Sequence, residues 1–195
     1  MSPAATLTLL QARERYFDEN GFGKDGGYSD RWVKLELGPL PFAIPNTASR
    51  VRAVRFHDLH HILTGYRTDW PGECAISAWE IGGGCADHWA AWGLNLSGMG
   101  MGLLFMPRAV IRAFYRGRHT GNLYRASFDD TLLSRTVEDM KQALRVDEPV
   151  PAPTAKDTAA LVGWSVASLG TLLLNTALFL SPVAALAWGL VALLR

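Results

Sequence analysis

The chain has 195 residues, and its formal net charge of +1 is the balance of 19 basic and 18 acidic side chains. This length allows one domain with a sizeable core, and the near-neutral charge gives no reason to expect nucleic acid as a partner. The two cysteines, Cys74 and Cys85, would lie about 16 Å apart if one helix carried both, which is too far for a disulfide. The sequence therefore fits a reducing compartment.

The N-terminal region predicts one helix followed by a long irregular stretch. Residues 1–15, MSPAATLTLLQARER, have no basic lead-in and too short an apolar run for a secretory signal. A first amphipathic helix is expected over about Leu7 to Glu19. The glycines and prolines between Gly21 and Pro45 then indicate irregular backbone, in which Trp32 to Leu37 is expected as a short strand.

A second helix is predicted where the histidines are concentrated. Residues 45–65, PNTASRVRAVRFHDLHHILTG, contain three of the chain's five histidines. Asn46 or Thr47 suits the N-cap of this helix, and Gly65 suits the left-handed position that ends it.

The arrangement of these histidines on the helix indicates a metal site. On a helical wheel, Asp58 falls on an apolar stripe with His57 and His61 beside it, whereas His60 points elsewhere. A carboxylate on such a stripe is costly unless it is paired or binds a cation. His57 and His61 are four residues apart, which places two imidazoles on one helix face within reach of a single ion. The alternative is a polar, partly exposed helix whose histidines pair with nearby acids.

A third helix can supply a further ligand. It is predicted to start near Asp69, with Pro71 in its first turn, and to end at the glycines of residues 82–84. Glu73 reaches the histidines if the two helices pack as a hairpin. Glu80 is the rival, since it lies seven residues later and about 20° away on the same face. Imidazole with acidic oxygen suits zinc, and also iron or manganese.

Two familiar histidine motifs are excluded by counting. HDLHH has the form H-x-x-H-H of membrane di-iron desaturases, but those enzymes need several histidine boxes, and only His88 and His119 remain elsewhere in this chain. HD-type phosphohydrolases need a further metal-binding histidine upstream, and none precedes His57.

The spaced pattern His57-Asp58-x-x-His61, followed after eleven residues by Glu73, resembles the signature of the Coq-four family of ubiquinone (coenzyme Q) biosynthesis proteins. The surrounding segments HDLHHILTG, GECAISAWE, LLFMPRAVIRAFYRGRHTGNL and VEDMKQALRV are also similar, over roughly residues 50–146.

The resemblance implies an all-helical fold and a divalent metal, usually zinc, held at His57, Asp58, His61 and Glu73. It also implies action at the membrane on a polyprenylated benzoquinone precursor. The family is linked both to oxidative decarboxylation at ring carbon one and to organising the biosynthetic complex, so an enzyme and a non-catalytic lipid-binding scaffold with a structural metal both remain open. Asp58 either contacts the metal or orients a histidine, because neighbouring residues on a helix diverge by about 100°.

Further helices are expected over about Ala86 to Trp92, Leu103 to Arg116 and Asp129 to Arg145. GMGMG, at residues 98–102, does not complete a phosphate-binding loop and predicts close helix packing. Along one face of the second of these segments, an arginine recurs every four residues: Arg108, Arg112 and Arg116. These arginines are expected either to contact lipid phosphates or to form a solvated face. Three tryptophans are expected either in the helical core or lining a prenyl-tail site: Trp79, Trp89 and Trp92.

The C-terminal region carries the strongest physical signal, because the 36 residues 159–194 contain no charge. About 20 such residues cross a bilayer, and one helix of this length would measure about 54 Å. A break is therefore expected at Ser181-Pro182, with Ala159 to Leu180 as the span and Pro182 to Leu194 as a short interfacial or continuing helix. A re-entrant hairpin and an apolar hairpin buried in an oligomer are the alternatives.

The expected organisation is a helical metal-binding domain (1–146), a proline-rich linker (147–158) and a membrane segment (159–195). Asn175, alone in the apolar run, is expected to make an interhelical hydrogen bond. The bacterial inner membrane is the expected location, with the soluble domain on the cytoplasmic side. Other quinone-biosynthesis proteins or further copies of the chain are the expected protein partners.

Overall fold

The computed structural model describes residues 6–37 and 40–193. Residues 1–5, 38–39 and 194–195 lie outside this part, so Leu194 and Arg195 at the end of the apolar run are not described. The described residues form eight helices and one two-stranded sheet, which confirms the predicted all-α fold. In chain order these are α1 (Leu9–Asn20), β1 (Trp32–Leu37), β2 (Leu40–Pro45), α2 (Ala48–Thr64), α3 (Trp70–Gly83), α4 (Trp89–Phe105), α5 (Pro107–His119), α6 (Asp130–Leu133), α7 (Val137–Leu144) and α8 (Ala155–Leu193).

The stretch between α1 and α2 is largely irregular and carries an antiparallel pair of strands. The pairing runs from Trp32 opposite Pro45 to Leu37 opposite Leu40, which confirms the predicted strand. The Asn46 side-chain amide donates to backbone carbonyls of the preceding loop. These bonds hold the irregular stretch against the start of α2.

Local side chains set the ends of the two helices that carry the histidines and glutamates. Of the two candidate N-caps of α2, Thr47 does the capping, because its hydroxyl accepts from the Arg50 amide at 3.2 Å. Gly65 ends α2 with φ 74°, a left-handed conformation that suits glycine. Asp69 caps α3 by accepting from the Gly72 amide at 3.0 Å. These predictions are confirmed.

The middle of the chain differs from the prediction. The expected helix over Ala86 to Trp92 is only the start of the longer α4, and the expected helix over Leu103 to Arg116 is divided at Met106. Met106 has φ −145°, outside the helical region, and Pro107 then starts α5. The glycines of residues 98–102 lower intrinsic helix propensity, but tertiary packing holds them within α4.

The predicted helix over Asp129 to Arg145 is likewise two helices, α6 and α7. Thr136 interrupts it, because its extended backbone and its hydroxyl form the N-cap of α7. Backbone bonds at this break tie the segment to the start of α1, with the Leu9 amide donating to the Arg135 carbonyl at 2.8 Å. Long-range pairing thus replaces the helical hydrogen bonds that local periodicity predicts.

Helix α3 is the centre of the domain and touches α5 backbone to backbone. A β-carbon on Gly82 would overlap the Phe114 carbonyl oxygen, and one on Gly117 would overlap the Trp79 carbonyl oxygen. The two axes therefore cross at a distance that only glycine permits at these positions. The side chains around this crossing, including Trp79 and Phe114, are buried.

Helix α8 is continuous, so the predicted break at Ser181-Pro182 is wrong. Proline has no amide hydrogen, and at position 182 it leaves the Leu178 carbonyl without its usual helical donor. The Ser181 hydroxyl donates to that carbonyl at 2.8 Å. This local replacement accounts for the uninterrupted backbone.

The first part of α8 packs on the domain, mainly against α4. The Trp164 and Trp92 rings stack with centroids 5.0 Å apart. The Asn175 amide donates to the Ser97 hydroxyl at 2.8 Å, so the predicted interhelical hydrogen bond is confirmed. Helix α8 begins at Ala155, inside the predicted linker, and over Ala155–Ser181 it is long and apolar enough to cross a membrane.

Candidate metal centre

Helices α2 and α3 pack antiparallel and bring two histidines to one glutamate. The His61 Nε2 atom lies 3.1 Å from His57 Nε2 and 3.2 Å from Glu73 Oε1, and His57 Nε2 lies 3.3 Å from Glu73 Oε2. All three ligand atoms fall within 4.8 Å of one another. Of the two candidate glutamates, Glu73 therefore supplies the converging carboxylate.

The hydrogen bond at the far side of His61 fixes its tautomer. His61 Nδ1 lies 2.8 Å from the Tyr66 carbonyl oxygen, which only accepts hydrogen bonds. The ring proton is therefore on Nδ1, and the lone pair of Nε2 faces His57 and Glu73. A backbone carbonyl on the second nitrogen is a common way to orient a metal-binding histidine.

Glu80 orients His57 in the same manner. Its Oε1 atom lies 3.0 Å from His57 Nδ1, and an ionised carboxylate accepts the proton of that nitrogen. His57 Nε2 is then left facing His61 Nε2 at 3.1 Å. Two lone pairs at this distance repel each other unless a proton or a cation lies between them. The pair of imidazoles is therefore built to share one positive charge.

The electrostatics of the centre agree with a site for a cation. Burial opposes charge on His57, but Glu80 and Glu73 outweigh it and raise the pKa of His57 well above its usual value. Burial likewise raises the pKa of Glu73, but the interactions with His57 and His61 outweigh it and lower that pKa to about 2. In the metal-free chain a proton on His57 Nε2 thus takes the position that suits a metal ion.

Glu80 also anchors a buried polar network behind the centre. Its second oxygen accepts from the Tyr124 hydroxyl at 2.7 Å and from the Asn95 amide. Burial raises the pKa of Glu80, but the charge of His57 and the hydrogen bonds from His57 and His60 outweigh it and lower the pKa. The carboxylate stays ionised at neutral pH because four polar groups surround it.

His60 belongs to this network and not to the centre. Its Nε2 accepts from the Leu123 amide at 2.9 Å, so its proton is on Nδ1, which donates to Glu80 Oε1 at 2.6 Å. Both nitrogens are bonded to protein groups, and the side chain is fully buried. His60 consequently has no nitrogen left for a metal.

Asp58 lies beside the centre but outside the group of three converging residues found in the described part of the chain. It is 6% exposed, and its Oδ2 atom accepts from the Tyr28 hydroxyl at 2.5 Å. Burial raises its pKa, against the opposing effects of the Tyr28 bond and the two histidines. Glu80, and not Asp58, bonds to His57 Nδ1 and orients that ring. Direct contact of Asp58 with the metal stays a prediction.

One face of the centre is covered by an aromatic ring and another is open. The Tyr16 ring stacks on His61 with centroids 5.9 Å apart and planes 22° apart. His61 is only 1% exposed at its side chain, whereas the Glu73 side chain is 40% exposed. An external ligand therefore has access from the side of Glu73.

The structure divides the three arginines of α5. The Arg116 guanidinium donates to the Val146 carbonyl at 3.0 Å and to the Thr64 carbonyl at 3.1 Å, and it lies over the Tyr66 ring. These contacts bind the end of α2 to the segment after α7. Arg108 and Arg112 are exposed instead.

The three tryptophans are divided in the same way. Trp79 is buried and donates to the Thr120 hydroxyl at 2.9 Å, so it belongs to the core. Trp92 packs between α4 and α8. Trp89 is 78% exposed at the start of α4.

Several supporting groups of the centre carry no sequence signal. The Tyr66 carbonyl, the Tyr124 hydroxyl and the Asn95 amide come from positions far apart in the chain, and none belongs to a spacing motif. Glu80 is the exception, because its position seven residues after Glu73 already places it on the same helix face.

The fold and the site define a class: a helical protein with a candidate centre of two histidines and one glutamate, and with one helix that can cross a membrane. Comparison with known protein families, curated proteins and solved structures found no match.

Proposed function

We propose that this chain is a membrane-associated, metal-dependent enzyme of ubiquinone biosynthesis. The observation that carries the metal part is the convergence of His57 Nε2, His61 Nε2 and the Glu73 carboxylate, with the far nitrogens already bonded. Three protein ligands and an open side are typical of catalytic metal centres. The substrate, a polyprenylated benzoquinone precursor, is proposed from the resemblance of the sequence pattern.

The donor set fits a divalent ion. Two neutral imidazoles and a carboxylate suit zinc, and iron or manganese accept the same ligands. A metal held at His57, His61 and Glu73 would supply Lewis-acid chemistry for decarboxylation at ring carbon one. Glu80 and the Tyr66 carbonyl would hold the two imidazoles in orientation, and the Tyr16 ring would exclude water from the face of His61.

An apolar groove supports binding of a lipid substrate. Its volume is about 430 Å³, and the residues that line it include Tyr66, Ala75, Ala109, Arg112, Val150 and Pro151. Tyr66 joins the groove to the centre, because its carbonyl accepts the His61 proton. The prenyl tail would lie in this groove while the ring reaches Glu73.

The second candidate is a non-catalytic scaffold that presents the quinone precursor to partner enzymes and holds a structural metal. The position of Asp58 favours it, since this buried carboxylate interacts electrostatically with both imidazoles. A fourth protein ligand would close the centre, as in structural zinc sites.

Metal analysis combined with activity in cells tests the proposal. The purified chain is expected to hold about one divalent ion, and His57→Ala and Glu73→Gln are expected to abolish both metal binding and quinone production. Glu138→Gln, at a partly exposed carboxylate on α7 outside the centre, is the matched control. If the two site variants lose the metal while quinone levels stay unchanged, the catalytic proposal is wrong and the scaffold is favoured.

A further inference from the structure

The domain packs against the first part of α8 only, and we call this packing the cover of α8. Near its start, Asp157 pairs with Arg118 at 3.2 Å, and further on Ser168 is fully buried. From Leu173 to Leu180 every side chain is exposed, and most of them are large and apolar. The helical backbone nevertheless continues to Leu193.

The part of α8 that begins at Leu173 is long enough to cross a bilayer by itself. Residues 173–193 are 21 in number and contain no charged residue. At about 1.5 Å per residue they measure about 31 Å, close to the hydrocarbon thickness of about 30 Å. The first 18 residues of α8, from 155 to 172, are then free to remain with the domain, where Asp157 keeps its partners.

The corner between α4 and α5 lies where the cover of α8 ends. Helix α4 crosses α8 near Gly100, because Gly100 lies against Ser168 and Leu172 and the Ser97 hydroxyl accepts from the Asn175 amide, while Trp92 stacks on Trp164. One turn after Gly100, the apolar side chains at the end of α4 are strongly exposed. These are Leu104, at 59%, and Phe105, at 70%.

Basic and aromatic side chains surround this apolar tip. Helix α5 starts at Pro107 and runs back toward Asp157, so the exposed Arg108 and Arg112 lie just behind the tip. Helix α3 is antiparallel to α4, since Gly102 packs on Cys74 and Gly98 on Ser77. That register places Trp70, which is 51% exposed, at the same end. We call these five residues the α4–α5 corner: Trp70, Leu104, Phe105, Arg108 and Arg112.

We propose that the α4–α5 corner inserts into the leaflet from which α8 enters the bilayer, and that α8 crosses with residues 173–193. Leu104 and Phe105 would lie at the edge of the acyl region, and Trp70 at the interface, where tryptophan is favoured. Arg108 and Arg112 would bind phosphates of anionic lipids. Continuity of the apolar tip with the exposed part of α8 and the charge of the two arginines both favour a bilayer as the occupant.

This arrangement would also place the metal centre close to the membrane surface. Glu73 is in the first turn of α3, at the end that carries the corner. A lipid head group would therefore reach Glu73 without leaving the membrane. This inference rests on the membrane association in the proposed function, and it is independent of the chemistry at the metal.

Site-directed spin labelling of the full chain in nanodiscs tests the proposal. Labels would be attached through Phe105→Cys, Leu169→Cys and Leu178→Cys, with Leu10→Cys on α1 as the exposed control; the native Cys74 and Cys85 are buried. At positions 105 and 178, collisions with oxygen relative to a water-soluble nickel reagent are expected to be severalfold more frequent than at position 10. Position 169 is expected to behave as the control does.

Three outcomes overturn the proposal. Nickel accessibility at position 105 equal to that at position 10 would show that the corner is in water. A deeper position for residue 169 than for residue 178 would show that the span lies earlier in α8. Spin–spin coupling between labels at position 105 would show that a second copy covers the corner.

The arginines are tested with the label at position 105 and two lipid mixtures. In discs that contain phosphatidylglycerol, the double variant Arg108→Gln, Arg112→Gln is expected to shift this label toward water, with little shift in pure phosphatidylcholine. The matched control is Arg31→Gln, Arg125→Gln, two exposed arginines outside the corner. An equal shift in the control, or none in the variant, contradicts the phosphate contact. The metal content of the same samples is measured as well. Because it tests only the proposed metal enzyme, failure of that proposal can be distinguished from failure of the membrane proposal.

Discussion

The three neighbouring histidines of α2 occupy two different environments. His60 bonds through both nitrogens to protein groups, whereas His57 and His61 each bond through Nδ1 and direct the other nitrogen toward Glu73. All three lie on the same helix in a largely buried region. The two candidate metal ligands are therefore distinguished from the structural histidine by the nitrogen that each directs toward the other imidazole and Glu73.

Of the variants considered, loss of His57 or His61 is expected to lower zinc affinity the most. His61→Ala should weaken zinc affinity by more than about 100-fold, beyond the range of about 10–100-fold for groups that only orient ligands. His60→Ala should lower the free energy of unfolding, because it removes two buried hydrogen bonds, but it should retain the metal. Competition with a chromophoric chelator and urea titration measure the two quantities. Equal loss of zinc affinity in both variants would contradict the contrast.

Glu80→Gln is expected to have the next largest effect, weakening zinc affinity by about 10–100-fold. The glutamine amide can donate to His57 Nδ1, which moves the ring proton to the nitrogen that faces the metal. The chelator assay measures the change, with Glu138→Gln as the control. Unchanged affinity would mean that Glu80 does not set the tautomer of His57.

Zinc affinity is expected to rise with pH by up to about tenfold per unit between about pH 6 and pH 8. The pKa of His57 is raised in the metal-free chain, so its proton contributes stability at low pH, and this contribution is lost as the pH rises through that pKa. The metal competes with the same proton. Glu73, with a pKa of about 2, remains ionised throughout. Calorimetry in buffers of different ionisation enthalpy counts the protons released, and release of none would exclude this competition.

The smallest effect is expected from Tyr28→Phe, which removes the hydrogen bond to Asp58. The free energy of unfolding should fall by about 1–2 kcal/mol, and zinc affinity should change little if Asp58 is not a ligand. Urea titration and the chelator assay again apply. A loss of affinity as large as that of His61→Ala would assign Asp58 to the metal.

The paired histidines could be predicted from sequence because their spacing of four is a local property of a helix. Helix geometry alone could not choose between Glu73 and Glu80, because both project from the same face of α3; only the family resemblance pointed to Glu73. Tertiary packing decides between them, with the start of α3 lying against His61 and the next two turns against His57 and His60. Tyr66 contributes only a backbone carbonyl, which no residue identity reveals.

The helix boundaries likewise could be predicted only where local residues determine them. Side-chain caps such as Thr47 and Asp69 act within a few residues, so the ends of α2 and α3 could be predicted. The extent of α4 could not, since its glycines disfavour helix locally and are held there by close contact with α3 and α8. At Pro182, the Ser181 hydroxyl compensates for a missing donor that sequence patterns treat as a break.

The backbone contact between α3 and α5 has a thermodynamic consequence for the candidate centre. Because Gly82 and Gly117 let the two helices meet without intervening side chains, α3 has little room to slide or tilt. The carboxylate of Glu73 is thus carried by a helix that is already fixed in place. The conformational entropy of α3 is therefore lost when the chain folds, and not when the metal binds. Metal binding should then leave amide hydrogen exchange in the middle of α3 nearly unchanged, with slower exchange confined to the ends of α2 and α3 nearest the ion.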